Sequence, residues 1–373
     1  MKKIAFVSTN NTTVWAGSEE LWSQTAIKMA NQGFTISVNV KGWQEKPKNI
    51  QKLEHLNCQV SYRWYGYNSK LLGRIAIKVF KNKLFSAWLN KVAPDLVVIS
   101  QGANYEDQGW MDACLRMNIP YAVIIHAAGE NFWPSDEIVA KIAKLYLSAE
   151  KCFFVSQRNL ELTVKQLAVE FHNAKVVRNP YNVSYDVPLS WPKDESVLKL
   201  ACVGRLAPDA KGQDILFDVL RSEKWKSRPV EVTLFGNGYQ RNTLKRLKHL
   251  WRLDNIKFGG FVDNVEAIWA DRHALILPSR YEGLPLAIVE AMLCGRFCIV
   301  TDVAGNTEVV KDNINGFVAK APIAECLDDA MERAWQRRDS WHEIGKQAYE
   351  SVRRIIPPDP IDRFVEEIKL LLK

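Results

Sequence analysis

Short apolar runs recur along the chain, and each is followed by a longer stretch in which apolar residues return every three or four positions. In the first half the runs are Ile4–Ser8, Thr35–Val40, Leu96–Ser100, Tyr121–His126 and Cys152–Ser156, rich in β-branched and aromatic residues. Runs without polar alternation predict strands covered on both faces, and the intervening stretches, such as Ser18–Asn31 and Asp107–Met117, predict the helices that cover them. The pattern pauses between Asn179 and Ser196, where prolines 180, 188 and 192 sit among polar residues. It resumes with Leu198–Val203, Val230–Phe235, Ile256–Phe258, Ala274–Leu277 and Phe297–Thr301. This order predicts two doubly wound α/β domains, 1–180 and 197–356, with a linker at 181–196. A second break, Ile356-Pro357-Pro358-Asp359-Pro360, sets off a final amphipathic helix within 357–373. In such folds ligands bind at the carboxyl ends of the strands, so a cleft between the two sheets is the expected site.

A length of 373 residues suits two domains, and 47% hydrophobic with 25% charged residues excludes a disordered chain. No 18 apolar residues run together, which argues against a membrane-spanning helix, and the apolar Ile4–Val7 after Met1-Lys2-Lys3 is too short for a signal peptide. Seven scattered cysteines without a Cys-x-x-Cys pair argue against a disulfide framework or a zinc site, so a reducing cytoplasm is expected. The net charge of +8 is unevenly spread. Residues 41–91 hold 11 basic and 2 acidic side chains, whereas the half after 180 is neutral, with 28 of each sign. A localised basic excess points to an anionic partner.

The segment from Pro278 to Met292 is the most informative. It follows the run Ala274–Leu277 and opens a helix, with Pro285 suited to the first helical position and Gly283 permitting close approach to the backbone. The N–H groups of Leu284, Leu286 and Ala287, with the helix dipole behind them, form an anion site. Glu282 and Glu290 bracket it. Carboxylates there are suited to accept hydrogen bonds from hydroxyls, a sugar on one side and a ribose on the other. Gly204-Arg205-Leu206, Lys211-Gly212, Gly236-Asn237-Gly238, Gly259-Gly260-Phe261, Thr301 to Val310 and Asn315-Gly316 all fall at or just beyond the carboxyl ends of predicted strands. Glycines confined to one face exceed what turns alone require.

These motifs, Gly-Arg-Leu with a following Lys-Gly, Pro-Ser-x-x-Glu-Gly, a Glu-x7-Glu pair and Thr-Asp-Val-x-Gly with Glu-Val-Val behind it, resemble those of the family 4 retaining glycosyltransferases. The likeness spans about 198–320. It is weaker but in register in the first half, at Ala16-Gly17-Ser18-Glu19, His126, Ser156 and Asn179-Pro180. The resemblance implies a GT-B fold, two Rossmann-like domains facing a cleft, with the final helix crossing back onto the first. It implies that Arg205 and Lys211 neutralise the leaving diphosphate, that Glu290 holds the ribose, and that Glu282 holds the transferred sugar with the backbone of Gly283, Leu284, Pro285 and Leu286. The backbone near Phe261 and Val262 would recognise the base, Gly17 would let its loop close on the diphosphate, and His126 would reach the donor sugar. Transfer with retention is the expected chemistry.

Fixed cations beside a leaving diphosphate stabilise the transition state more than the ground state. No Asp-x-Asp triplet occurs, so transfer without a metal or other cofactor is expected, with a UDP-sugar somewhat favoured over a GDP-sugar as donor. Residues 70–91 read as one helix on which Lys70, Arg74, Lys78 and Lys81 form a stripe continued by Phe85 and Trp88, a surface suited to an anionic membrane or lipid acceptor. Leu84 and Ala87 fall on the side expected to pack. Nucleic acid is disfavoured for want of a recognition motif. The function expected is transfer to a glycolipid, lipopolysaccharide or polysaccharide-precursor acceptor, at the inner face of the plasma membrane. The alternatives are a small phosphorylated acceptor, or a non-catalytic partner that keeps the fold.

Overall fold

A computed structural model describes residues 2–63, 83–194 and 196–372. The chain divides into two compact units, 1–180 with 359–373, and 181–358.

The first unit is built on seven parallel strands, β1 (Lys3–Ser8), β2 (Thr35–Lys41), β3 (Gln59–Arg63), β4 (Leu96–Gln101), β5 (Tyr121–Ile125), β6 (Lys151–Phe154) and β7 (Ala174–Val176), in the order β3-β2-β1-β4-β5-β6-β7. The order reverses between β1 and β4. Central strands β4 and β5 are buried throughout, as their apolar runs predict. The edge strands β3 and β7 had no such signature. Gln59–Arg63 alternates polar and apolar residues, and β7 has only three residues. Alternate residues of β1 feed two cores. Ala5 and Val7 face Trp110 and Leu145, whereas Ile4 and Phe6 face Trp22 and Leu53. The final helix, Pro360–Leu370, completes the second of these cores. Phe364 meets Phe153 edge-on with centroids 5.0 Å apart, and Asp362 pairs with Lys28 of the helix Ser18–Asn31.

Residues 83–92 are helical but turned differently from the expected stripe. Phe85, Leu89 and Val92 are buried, at spacings of four and three, while Leu84 is 56% exposed. Phe85 stacks on Trp110 at 3.9 Å between centroids, and Trp88 packs edge-on to Trp110 while donating its indole N–H to Ser61 Oγ at 2.9 Å. Phe85 and Trp88 therefore belong to the core side, which corrects their assignment to an exposed aromatic surface. Burying Phe85 outweighs continuing the basic stripe because an aromatic ring brings the largest apolar area available there. Lys70, Arg74, Lys78 and Lys81 lie outside the described residues.

The second unit holds six parallel strands, β8 (Leu198–Val203), β9 (Val230–Phe235), β10 (Ile256–Gly260), β11 (Ala274–Leu277), β12 (Phe297–Thr301) and β13 (Gly316–Ala319), in the order β10-β9-β8-β11-β12-β13. Its order reverses between β8 and β11. The stretch expected as a linker packs onto this unit instead. Arg296, 1% exposed, donates to the carbonyls of Leu189 and Ser190 as well as those of Trp269 and Cys294, and Trp191 stacks on His342. These four carbonyls and that of Gly295 satisfy the buried guanidinium, so 181–194 is tied down despite its polar sequence. No helix among the described residues is long and apolar enough to cross a membrane.

Candidate active site

In the second unit the reversal places the turns after β8 and β11 side by side, where a doubly wound sheet opens its crevice. The chain leaves β8 at Gly204-Arg205 and makes a short helical turn, Pro208–Lys211, ended by Gly212 at φ +64°. A Cβ at Gly212 would lie 1.9 Å from the Pro278 carbonyl, so only glycine allows the two turns to touch. Arg280 then fastens them. Its N–H donates to Ala210 O at 2.8 Å, and its guanidinium reaches Pro208 O at 2.7 Å and both oxygens of Asp214 at 2.7 Å.

This contact brings Lys211 onto Glu282. The ammonium lies 2.5 Å from Glu282 Oε1, which also accepts from Ser279 Oγ at 2.7 Å. Ser279 is held in turn, its carbonyl accepting from Thr301 Oγ1 at 2.6 Å. Glu282 is 6% exposed and its lysine is largely covered. The Arg205 guanidinium makes no ion pair or hydrogen bond among the described residues, while its carbonyl is held by Gln213. A cation kept half-accessible and without an internal partner is available to an anion.

The helix after β11 runs Leu286–Leu293, with Pro285 as its cap, one residue earlier than its expected place as the first helical residue. Among the described residues the N–H groups of Leu284, Leu286 and Ala287 have no hydrogen-bond partner. Gly283 is fixed from the next loop, Gly305 N–H donating to its carbonyl at 2.7 Å. Glu290, 4% exposed, accepts at Oε1 from both the N–H and the side-chain amide of Asn182, each at 3.1 Å. Phe261 is 68% exposed at the end of β10, and Val262 packs partly on the core.

Ser279 and Asn182 were not singled out from sequence. Ser279 lay inside the quoted motif, where a hydroxyl three residues before a glutamate was a usable signal. Asn182 sits in the aperiodic proline-bearing stretch and carried none.

In the first unit Gly17 is the exposed cap of the helix Ser18–Asn31, with ordinary helical angles. His126 follows β5. Its N–H donates to Gln101 O at 3.1 Å, and Nε2 lies 3.1 Å from Ser100 Oγ. Burial pushes its pKa down to about 3, the Asn179 side chain opposing weakly, so the imidazole is neutral at pH 7.

Residues 188–351 match the model of the glycosyl transferases group 1 family. The match falls on the second unit, and that is the family to which this part of the chain is similar. The chain is 25% identical over its whole length to an uncharacterized glycosyltransferase of Haemophilus influenzae, with 100% of both chains covered. It is 30% identical to the N-acetyl-alpha-D-glucosaminyl L-malate synthase of Bacillus anthracis over 123 residues, about a third of each chain (33% and 32%). Among solved structures, Anabaena HepE in complex with UDP-glucose matches 99% of this chain and 100% of its own, with a TM-score of 0.74 at 18% identity. That likeness confirms the fold expected from the motifs, two Rossmann-like domains of GT-B type.

Proposed function

We propose that this glycosyltransferase moves a hexosyl group from a nucleotide diphosphate sugar to an anionic acceptor, with retention and without a metal. The observation that carries the reading is the Lys211–Glu282 contact beside the unpartnered Arg205, at the reversal of the second sheet. As the bond from the anomeric carbon to the diphosphate breaks, charge accumulates on the leaving oxygens. Arg205, Lys211 and the unpartnered N–H groups of Leu284, Leu286 and Ala287 are fixed to receive it, with no reorganisation at the moment of reaction. Glu282 accepts from the hydroxyls of the departing sugar, and Ser279 keeps its carboxylate oriented. Glu290, prepositioned by Asn182, accepts from the ribose. His126, in the first unit, is neutral at pH 7 and can offer a sugar hydroxyl a hydrogen bond without a positive charge. A UDP-sugar is the first choice of donor, supported by the HepE complex.

The basic excess in residues 41–91 supports the negative charge on the acceptor. A lipid-linked glycolipid or polysaccharide precursor at the inner membrane face is the first reading. A soluble anionic acceptor is the second, favoured by the burial of Phe85, which removes an aromatic from the proposed membrane surface. The relative named for making a malate conjugate also fits, malate being a dicarboxylate.

The test is thermal stability against UDP, GDP and ADP and their sugars, for the natural chain and for Arg205→Ala. A ligand at 100 times its Kd stabilises by about 2.7 kcal/mol. A shift with one base, weakened in the variant, is the expected result. No shift with any nucleotide would remove the donor reading. Flotation with anionic vesicles then separates the two acceptors, the lipid reading requiring protein in the floated fraction.

A further inference from the structure

The first unit contains a cavity of about 210 Å³ at the carboxyl ends of β1, β2 and β3, formed between the loop 10–15 and the loop 43–47. We propose that it receives one neutral sugar ring of the acceptor, with Trp15, Trp43 and Tyr62 against the ring faces and Glu19 accepting from ring hydroxyls. This deepens the glycosyltransferase reading and rests on it for the word acceptor. The sugar chemistry itself is argued from the cavity.

Its size is the first argument. Pockets for drug-sized ligands run to roughly 300–1,000 Å³, so this one takes a single ring and not two. Its walls are the second. Val14, Val40 and Ile50 leave most of the lining apolar, and three aromatic rings stand among them. A pyranose presents C–H faces that pack on such rings and an edge of hydroxyls that requires polar partners. The rings are held in place. Trp43 has the Lys41 ammonium 4.0 Å from its centre, Trp15 donates its indole N–H to Glu20 at 2.6 Å, and Tyr62 donates its hydroxyl to Glu54 at 2.6 Å. Walls fixed in advance lower the ordering cost of binding.

Glu19 is the third argument. It is 4% exposed, in the first turn of a helix, and lines the cavity beside Ser8. Its carboxyl group accepts from Trp22 Nε1 at 3.1 Å on Oε2, from Ser18 Oγ at 3.3 Å and from the Ser8 hydroxyl, three of the roughly four bonds that two carboxylate oxygens can accept. The nearby Arg63 is directed elsewhere, onto the carbonyls of Asn39 and Ser8 and the side chain of Asn39. Asn10, Lys41, Glu45 and Lys46 also line the cavity, so it has a polar edge as well as an apolar side, and Glu19 is the buried charged member of that edge. A buried carboxyl with one accepting place left is costly for folding. Such a group is what orients a polyhydroxylated ligand.

The experiment uses the full chain and the methyl glycosides of glucose, galactose and N-acetylglucosamine as probes, followed by saturation-transfer NMR and calorimetry, with UDP titrated into the same samples. At least one glycoside should bind with a Kd in the millimolar range. Trp43→Ala should weaken it about tenfold, the upper range for one aromatic contact. Glu19→Gln, which keeps the shape, should weaken it several-fold. UDP should bind both variants as it binds the natural chain, and their circular dichroism and melting curves should match it, which shows that both units are folded. A chain that binds UDP and no glycoside overturns the proposal. So does a glycoside that binds both variants undiminished. Glycoside binding lost in the variants, in a chain that binds no nucleotide, supports the sugar subsite while the donor reading fails.

Discussion

Each sheet carries a buried glutamate where a strand hands over to a helix, and the two are treated differently. Glu282, after β11, is 6% exposed, and Glu19, after β1, is 4% exposed. Glu282 has a lysine at 2.5 Å and a serine hydroxyl at 2.7 Å on the same oxygen. Glu19 has an indole N–H and the hydroxyls of Ser8 and Ser18, and burial raises its pKa to about 7. The second unit thus offsets its buried acid with a fixed cation, and the first with a proton that leaves near neutrality. The difference follows from the turns. Gly212 lets a neighbouring loop deliver Lys211 to within contact, whereas the cation near Glu19 is already engaged by backbone carbonyls.

The largest effect is expected from breaking the charged pair. Lys211→Met leaves Glu282 buried with Ser279 alone. Removing one partner of such a pair costs about 3–5 kcal/mol, mostly the desolvation of the charge left behind. Adding Glu282→Gln should recover most of that stability in denaturant titrations. Transfer should stay depressed by roughly 10²–10³-fold in both, because the cation at the leaving group is missing. A single variant as stable as the natural chain would show that Lys211 does not offset this carboxylate.

Glu19→Gln probes the other side of the comparison. The folded pKa of about 7 lies above the ordinary 4.5, so folding favours the protonated form. The contribution is fully present below pH 4.5 and is lost as pH rises through 7, on the order of 3 kcal/mol in all. Glutamine cannot ionise, so the variant should lose this decline and gain on the natural chain between pH 5 and pH 8 when unfolding is followed across that range. Parallel pH profiles for the two proteins would mean that water or a rearranged side chain already solvates the Glu19 carboxylate.

What the sequence made legible follows the same physics. Leu198–Val203 and Ala274–Leu277 could be read as strands to the residue because both faces of a central strand must be apolar. Gln59–Arg63 could not, because an edge strand is under no such demand. The motif around Glu282 was legible because glycine, proline and a helix start lie close together in sequence. The partner of Glu290 was not, since Asn182 is 108 positions away in a stretch with no period. The stripe from Lys70 to Trp88 misled because it extended one helical phase through residue 88. The spacing of Phe85, Leu89 and Val92 sets its own phase for 83–92, and the burial of Phe85 against Trp110 decides which side faces the core.

Arg205→Ala should have the smallest effect on stability and so sharpens the contrast most. Its guanidinium is half-buried yet has no partner among the described residues, and only its backbone is tied into the fold, its carbonyl accepting from the Gln213 side chain and from Ala207 N–H, each at 2.8 Å. Truncating a side chain outside any core, cap or ion pair shifts stability by no more than about 0.5 kcal/mol. Its expected loss in transfer is nonetheless as large as that for Lys211, roughly 10²–10³-fold, since both cations would face the same leaving charge. Melting curves and donor turnover measured on one preparation decide the matter. Unchanged melting with lost turnover separates a cation held for the ligand from Lys211, which also serves the fold. A large drop in melting temperature would mean that Arg205 is structural and would leave Lys211 as the only cation of the pair assigned to the diphosphate.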